Sequence, residues 1–469
     1  MRRRIRVLQL TEVFDEIRRQ SEIPLEFPEE VLAAAESDPR DPHEREDLRS
    51  APFVTVDPAG AMDLDQALAF ETLDGGRIRL RYAIADLEPF VIPDGPIDQE
   101  VRRRGVTVYC PDRSIPLHPQ ALSEGSASLL PGQDRPAVVF EIDVDSEGEV
   151  RRHDVRRALV RSHHRYEYQE LQAAFDAGRP PEPLAAFPAF GKARIARGIE
   201  RGAITLRLPE QDPVWVDGRW RLVTRPEVEA DRWNAEVSLL TGMVAAELMV
   251  GAGTGILRTL PRPDTDAIGR FRGAVKGLGI AWTRDESVAE LLDGLDPARP
   301  GQMAVFDAAT NLMRGSSYLG FRDGAPEGDI GHGGVAARYA HATAPLRRLG
   351  DRFTLAACAA ISAGAPVPAW VEAGVEEVAV IMAETSSRAG QIEARCLNAV
   401  EAWVMGERIG DRFEAVVVEQ RNSGSAVWID DPSIIAYADG IRAQPGEVIT
   451  LEVDDVDVVR GIIRFTQPD

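Results

Sequence analysis

The chain has 469 residues, 44% of them hydrophobic and 28% charged; these are ordinary globular values that exclude a disordered polypeptide, and the length suits two or three domains. Its 54 basic and 76 acidic residues leave a net charge of −22, with only two lysines, Lys192 and Lys276, which excludes affinity drawn from a broad coat of basic contacts to phosphate but allows a confined basic channel inside an acidic shell. Cys110, Cys358 and Cys396 form no CxxC pair, which argues against a zinc ribbon or a disulfide framework and suits a reducing, cytoplasmic setting.

Residues 1 to about 45 read as short helices. In VLQLTEVFDEIRRQ the residues Leu8, Leu10, Val13, Phe14 and Ile17 fall near one face, and FPEEVLAAAES follows with Pro28 in its first turn. The polar run SDPRDPHERED reads as a linker. From about residue 51 the pattern turns to strand. ALAFET, the turn LDGG and RIRLRYAIAD make a hairpin in which Ile78, Leu80, Tyr82 and Ile84 alternate, and a second hairpin is expected around VVFEIDVDSEGEVRRHDVRRALV.

Beyond about residue 166 helices dominate, over 228–250, 264–278, 303–317, 345–362 and 370–405. The most apolar window, from Ser238, is broken by Glu247 and glycines and reads as a buried helix rather than a membrane span. From Gly410 the tail returns to five or so short strands with Gly and Asp turns, the pattern of a small oligonucleotide-binding barrel. The expected fold class is α+β: a helical module over 1–45, a central mixed domain of sheet and surrounding helices over 46–405, and a β-barrel over 410–469. Arginines cluster in VRRRG at 101–105 and VRRHDVRRALVRSHHR at 150–165, so an anionic partner is expected to be held locally.

The stretch FVTVDPAGAMDLDQALAF gathers Asp57, Asp63 and Asp65 around a break in an apolar run and then places Gln66. Three convergent carboxylates repel one another unless a cation neutralises them, and oxygen-only donors favour magnesium or manganese over zinc. By spacing alone the cluster reads equally as an acidic turn on a solvated surface or as a cation site; it lacks the third Asp or Asn, the central Gly and the terminal Glu of an EF-hand. Arg347 and Arg348, in TAPLRRLGDRF, follow Pro345, which suits a first helical turn. Alone they read as surface arginines paired with Asp351, Asp41 or Asp47, or as an anion site at a helix start.

VTVDPAGAMDLDQAL, then YAIADLEPFVIPDGPIDQEVRRRGVTVYCPDRSIPLHPQALSEGSASLLPG, and much later GHGGVAARYAHATAPLRRLGDRF together resemble the catalytic domain of the ribonuclease II family, in order and spacing from about residue 45 to 405. The resemblance implies a magnesium-dependent processive exoribonuclease, with manganese as the alternative ion. Such an enzyme degrades single-stranded RNA from a free 3′ end and releases nucleoside 5′-monophosphates. It implies metal ligands at Asp57, Asp63 and Asp65, with Gln66 standing where the family has a fourth aspartate. It implies that Asp63, Asp65 and Arg347 carry the catalysis, Arg347 meeting the scissile phosphate. Tyr109 and Tyr168 match aromatics that pack on nucleotides near the 3′ end, and Arg165 and Arg348 are further RNA-binding candidates.

A glutamate near the end of the family's catalytic domain matches Glu384 and Glu393 equally well. His163, His164 and His332 are expected to be structural or RNA-contacting. The first 45 residues cannot contain the two cold-shock-type barrels usual in the family. A neutral amide at position 66 is a weaker ligand for a hard cation, so weaker metal binding is expected, and a catalytically silent RNA-binding relative is the alternative reading. The protein is expected to act as a monomer, with no membrane partner.

Overall fold

A computed structural model describes residues 10–208, 210–225, 227–296, 299–421 and 423–468; Leu8, in the first expected helical face, lies outside them. The described chain opens with α1 (Leu10–Gln20) and α2 (Glu29–Ala35). The apolar stripe Leu10, Val13, Phe14 and Ile17 of α1 is buried.

Strands β1 (Glu46–Asp47), β2 (Val54–Val56), β3 (Gln66–Thr72) and β4 (Ile78–Ala85) come next, then helix α3 (Pro96–Arg104) and the two-residue strands β5 (Val108–Tyr109) and β6 (Ser114–Ile115). The long strands β7 (Asp134–Val144) and β8 (Val150–Arg161) and the short β9 (His164–Tyr166) complete this half. Seven of these strands form one mixed sheet in the order β1-β8-β7-β4-β3-β2-β9, parallel at β1/β8 and β2/β9 and antiparallel elsewhere. On β4, Ile78, Leu80 and Tyr82 point into the core, while Arg79 and Arg81 between them are partly exposed, the alternation expected of a half-buried strand.

The second half is mostly helical, with α4 (Tyr168–Asp176) and α5 (Phe187–Arg201), a hairpin of β10 (Glu210–Val216) and β11 (Arg219–Arg225), and the long α6 (Glu229–Ala252). Then come β12 (Gly255–Thr259), α7 (Thr265–Gly277), α8 (Val288–Asp293), α9 (Pro300–Thr310) and β13 (Ser317–Phe321), followed by α10 (Leu349–Ser362) and the 38-residue α11 (Ala369–Gly406). Helix α6 is long and apolar enough to cross a membrane by length and composition, but it is packed against α4, α5, α10 and β12. The segment expected to be helical over 303–317 ends at Thr310, because Ser317–Phe321 pairs with β12 instead.

Five strands close the chain: β14 (Arg412–Gln420), β15 (Gly424–Ile429), β16 (Ile434–Asp439), β17 (Val448–Asp457) and β18 (Ile462–Thr466). They pair in the order β16-β15-β14-β17-β18, with β16 and β18 brought together, around a separate core that includes Phe413, Val427, Leu451 and Phe465. This barrel clasps the far end of α11. A Cβ on Gly461 would stand 2.6 Å from the Cβ of Asn398, and one on Gly406 would stand 3.1 Å from Val456.

The arginine clusters are largely occupied within the protein. Arg156 meets both Glu46 and Asp154 at 2.6 Å, and Arg161 meets Asp134 at 2.6 Å. In α3, Arg103 and Arg104 both pair with Glu100 at 2.8 Å. Outside the clusters, Arg79 and Arg81 of β4 likewise pair across to β7, with Asp143 at 2.7 Å and Glu141 at 3.0 Å. Opposite charges facing each other across strands or one helical turn apart attract. These arginines therefore neutralise part of the acidic chain itself.

Candidate active site

The loop 57–65 joins two neighbouring antiparallel strands, leaving β2 after Val56 and entering β3 at Gln66. Its conformation is fixed from three sides. The Asp57 N–H donates to the Tyr166 carbonyl at 3.0 Å. Ser128 Oγ donates to the Met62 carbonyl at 2.6 Å and accepts from the Leu64 N–H at 3.0 Å. Arg165 Nη1 donates to the Ala61 carbonyl at 2.6 Å. Arg165 therefore braces the acidic loop, which is the contact the structure gives to a residue expected to touch RNA.

Asp65 sits at the base of this loop, 3% exposed. Its Oδ1 accepts from the Leu346 N–H at 2.8 Å, and its Oδ2 lies 3.7 Å from Arg347 Nε. Burial, only partly offset by Arg347, pushes its carboxyl up to about 8. Asp57 is pushed up to about 6 by burial, with the charge of Asp63 adding to it, and Asp63 is raised by burial too. One oxygen of Asp57, Oδ2, is buried with no hydrogen-bond partner.

Among the described residues no three acidic, histidine or cysteine side chains form a ready-made metal cage. The donor chemistry nevertheless fits a divalent cation. Asp57, Asp63 and Asp65 are hard anionic ligands held in low-dielectric surroundings that penalise their charge, and a cation removes that penalty. The orphaned Asp57 oxygen is an acceptor without a donor. Gln66 gives its Nε2 to the Thr343 carbonyl; a carbonyl only accepts, so the amide nitrogen is the engaged atom and Oε1 is the one left to act as a neutral ligand.

The segment carrying Arg347 is held as firmly as the acidic loop. The expected first helical turn at Pro345 is absent, and α10 begins at Leu349. Arg348 is extended instead, in a bridge with Val106, and the Thr107 N–H donates to the Arg347 carbonyl at 3.0 Å. Asp351, in the first turn of α10, accepts from the Ala344 N–H at 2.8 Å. Buried His118 donates Nδ1–H to the Leu346 carbonyl at 3.0 Å, and burial pulls its imidazole down to about 4, which keeps it neutral.

The two neighbouring arginines thus differ. The side chain of Arg347 is 44% exposed beside Asp65. Arg348 donates both Nε and Nη2 to Asp351 Oδ2, at 3.1 and 2.8 Å. Burial opposes its charge, but Asp351 outweighs that and raises its pKa. The structure therefore commits Arg348 to an internal ion pair rather than to the RNA contact expected of it.

The aromatic candidates differ in exposure, although both reach the acidic loop, Tyr168 lying within electrostatic reach of Asp57. Tyr109 is 45% exposed and lies within electrostatic reach of Arg347, Asp63, Asp65 and Glu393. Its N–H donates to Glu393 Oε1 at 3.0 Å, so of the two candidate glutamates Glu393 is the one joined to this site. Tyr168 is packed against the main core, accepts from Asn234 Nδ2 at 2.8 Å, and has the Arg225 guanidinium 5.6 Å from its ring centre. Asp351, expected as an arginine partner, pairs with Arg348; sequence reasoning did not single out His118 or Ser128 as supports of the site. Ser128 acts through two hydrogen bonds and His118 through one, all to backbone distant in sequence, which leaves no local pattern.

Comparison with known proteins gives two family matches: the RNB domain over residues 45–360 and the RNase II-type exonuclease C-terminal S1 domain over residues 411–467. Ribonuclease R of Escherichia coli strain K12 is 32% identical over 347 residues, an alignment that covers 70% of this chain and 40% of that protein. The chain therefore spans well under two thirds of that relative. Mycoplasma genitalium RNase R, solved with ribose-methylated single-stranded RNA, superposes with a TM-score of 0.86 at 18% identity, covering 98% of this chain and 78% of that one. Yeast Ssd1, described as a pseudonuclease, superposes with a TM-score of 0.72 at 18% identity, covering 95% of this chain and 58% of that one. At such identities the two structures establish the fold alone.

Proposed function

The chain belongs to the RNB family, and from that premise we propose that it is a divalent-metal-dependent, processive 3′-to-5′ exoribonuclease. Its substrate is single-stranded RNA with a free 3′ end, its products are nucleoside 5′-monophosphates, and it works as a monomer in the cytoplasm. The observation that carries this reading is the position of Arg347, whose half-exposed guanidinium stands 3.7 Å from Asp65 at the rim of the three-aspartate loop. A cationic side chain beside a cation-binding carboxylate cluster suits a phosphodiester, which has anionic oxygens for both to neutralise.

Asp57, Asp63, Asp65 and Oε1 of Gln66 would hold the cation. When bound, magnesium or manganese supplies Lewis acidity at the phosphate and lowers the pKa of a water. The chain's own residues do the positioning. The Leu346 N–H orients Asp65, and Ser128 and Arg165 fix the loop from behind. Arg347 offers its charge to the phosphate oxygens. Tyr109 offers a ring face for stacking, which tolerates any base and so suits stepwise degradation.

The test is a 5′-labelled single-stranded adenosine homopolymer, incubated with the full chain in magnesium, manganese or chelator. Shortening from the 3′ end that needs metal and disappears in Asp65→Asn is the expected result. A second reading, a catalytically silent RNA-binding relative, is favoured by the neutral Gln66, whose amide is engaged with Thr343. Tight RNA binding with no shortening in either metal would establish it.

A further inference from the structure

We propose that Arg258 is a second phosphate-binding residue, one that holds a backbone phosphate of the RNA strand near the scissile linkage. This subsite presupposes the nuclease reading and extends it, since Arg347 would otherwise meet the strand's charge alone.

Arg258 stands directly across from Tyr318 in the ladder of β12 and β13. Its guanidinium lies over the tyrosine ring, 4.5 Å from the ring centre, and its Nη2 donates to Ser316 Oγ at 2.8 Å. A ring face and a hydroxyl orient a guanidinium without neutralising it. Among the described residues no carboxylate lies within ion-pairing distance of Arg258, and its other N–H groups have no side-chain acceptor. None of those groups is sealed from solvent, and both Arg258 and Tyr318 are partly exposed. Arg79 and Arg104 are the opposite case, each meeting a carboxylate.

The neighbouring groups leave Arg258 as the cation of this patch. The rings of His332 and His341 each stand 5.6 Å from that of Tyr339, whose backbone carbonyl accepts from the Arg258 N–H at 2.8 Å. Burial, with the arginine charges second, pulls both imidazoles down and keeps them neutral.

The segment 339–347 joins this patch to the active site. Tyr339 accepts from Arg258, His341 Nδ1 shares a hydrogen bond of 2.8 Å with the Tyr318 hydroxyl, and Thr343 accepts from Gln66. Arg347 then stands beside Asp65. Two residues of chain reach at most about 7 Å, so the backbone that meets Tyr318 lies within that distance of the backbone tied to the acidic loop. A strand with its 3′ end at the aspartates thereby brings a nearby phosphate to Arg258. Asp65 faces Arg347 and Asp351 neutralises Arg348; a phosphate, through charge-assisted hydrogen bonds, does the same for Arg258.

The test measures binding of a 5′-labelled single-stranded adenosine oligomer across a salt series in magnesium. The full chain carries Asp65→Asn, so that RNA is held without being shortened. Adding Arg258→Ala is expected to weaken binding about tenfold, the scale of one hydrogen bond to a charged group. It should also lower the slope against log salt by about 0.7, one phosphate contact on a single strand. Arg258→Gln keeps a polar side chain for Ser316, should do the same, and decides the matter if the alanine variant does not fold. Neutral methylphosphonate linkages, placed one at a time near the 3′ end, then locate the phosphate. At one of them the loss seen with Arg258 present should vanish in Arg258→Gln.

Equal affinity and slope with and without the Arg258 substitution would overturn the subsite. So would methylphosphonate losses that are the same in both at every linkage. RNA shortening by the unsubstituted chain keeps the two readings apart. A chain that shortens RNA but binds it equally well without Arg258 loses the subsite alone; a chain that neither binds nor shortens RNA loses both.

Discussion

Gln66 donates its side-chain amide to the backbone carbonyl of Thr343, so the one neutral polar residue of the DLDQ turn ties that turn to the segment carrying Arg347. An aspartate has no N–H to give, and at position 66 it would set a carboxylate against a carbonyl oxygen. Gln66→Asp therefore adds a hard ligand while removing a strut. In chelator, Gln66→Asp is expected to lose about 1–3 kcal/mol, the scale of a buried polar group left unpaired, with part of the loss recovered on adding magnesium. Denaturant melts in both conditions check this; equal midpoints for variant and parent in chelator would show that the strut carries no energy.

Arg347 and Arg348 are adjacent, yet their replacement should fail in opposite ways. Arg348→Ala leaves Asp351 buried and unpaired, a loss on the order of 3–5 kcal/mol, and should show as a large drop in melting temperature. Arg347→Ala, at a half-exposed side chain, should leave the melting temperature nearly unchanged. It should lower the rate of RNA shortening by about 10²–10³, the scale of removing one donor to developing charge. Thermal melts and single-turnover rates on both variants separate the two roles.

A cation that binds the folded loop must stabilise the fold. At about a hundred times its dissociation constant the gain is about 2.7 kcal/mol, read as a higher melting temperature in magnesium than in chelator. Asp57→Asn removes the ligand whose Oδ2 has no other partner and should shrink that gain. An unchanged gain in Asp57→Asn would place the cation elsewhere on the chain.

His118 makes stability depend on pH. Its folded pKa, about 4, lies below the ordinary 6.5, so the unfolded chain takes up the proton first on acidification. The contribution of the neutral ring is complete above pH 6.5 and lost as pH falls toward 4, by about 3 kcal/mol in all. Asp57 and Asp65, with raised pKa values, act in the opposite sense, because there the folded state takes up the proton first. The difference between the parent and His118→Gln therefore isolates the histidine: the variant should lose less stability between pH 6.5 and 4.5 in denaturant melts.

What could be read in advance follows from how local each signal is. Asp57, Asp63 and Asp65 share one turn, so their common fate is written within nine residues. The α1 stripe and the β4 alternation are also local, because burial of one face imposes its period on the sequence. Arg347 and Arg348 look alike in sequence, with Asp351 a legible partner for either, and the Val106 bridge that extends Arg348 tells which of them takes it. The same bridge delays α10 to Leu349, against the local preference of Pro345 for a first helical turn. Glu393 outranks Glu384 only because helix α11 brings it to the Tyr109 N–H. The hairpin of β10 and β11 is hard to read in the sequence because its alternation is confined to Trp220 and Leu222 between arginines, while Pro213 in β10 speaks against a strand.

Helix α11 is a single rod held at three stations. Arg395 donates to Gln20 of the first helix, Glu393 accepts from Tyr109, and Asn398 lies under Gly461 of the barrel. The three residues fall within two turns of one another, so the first helix, the Tyr109 backbone and the barrel are fastened to one short stretch of α11.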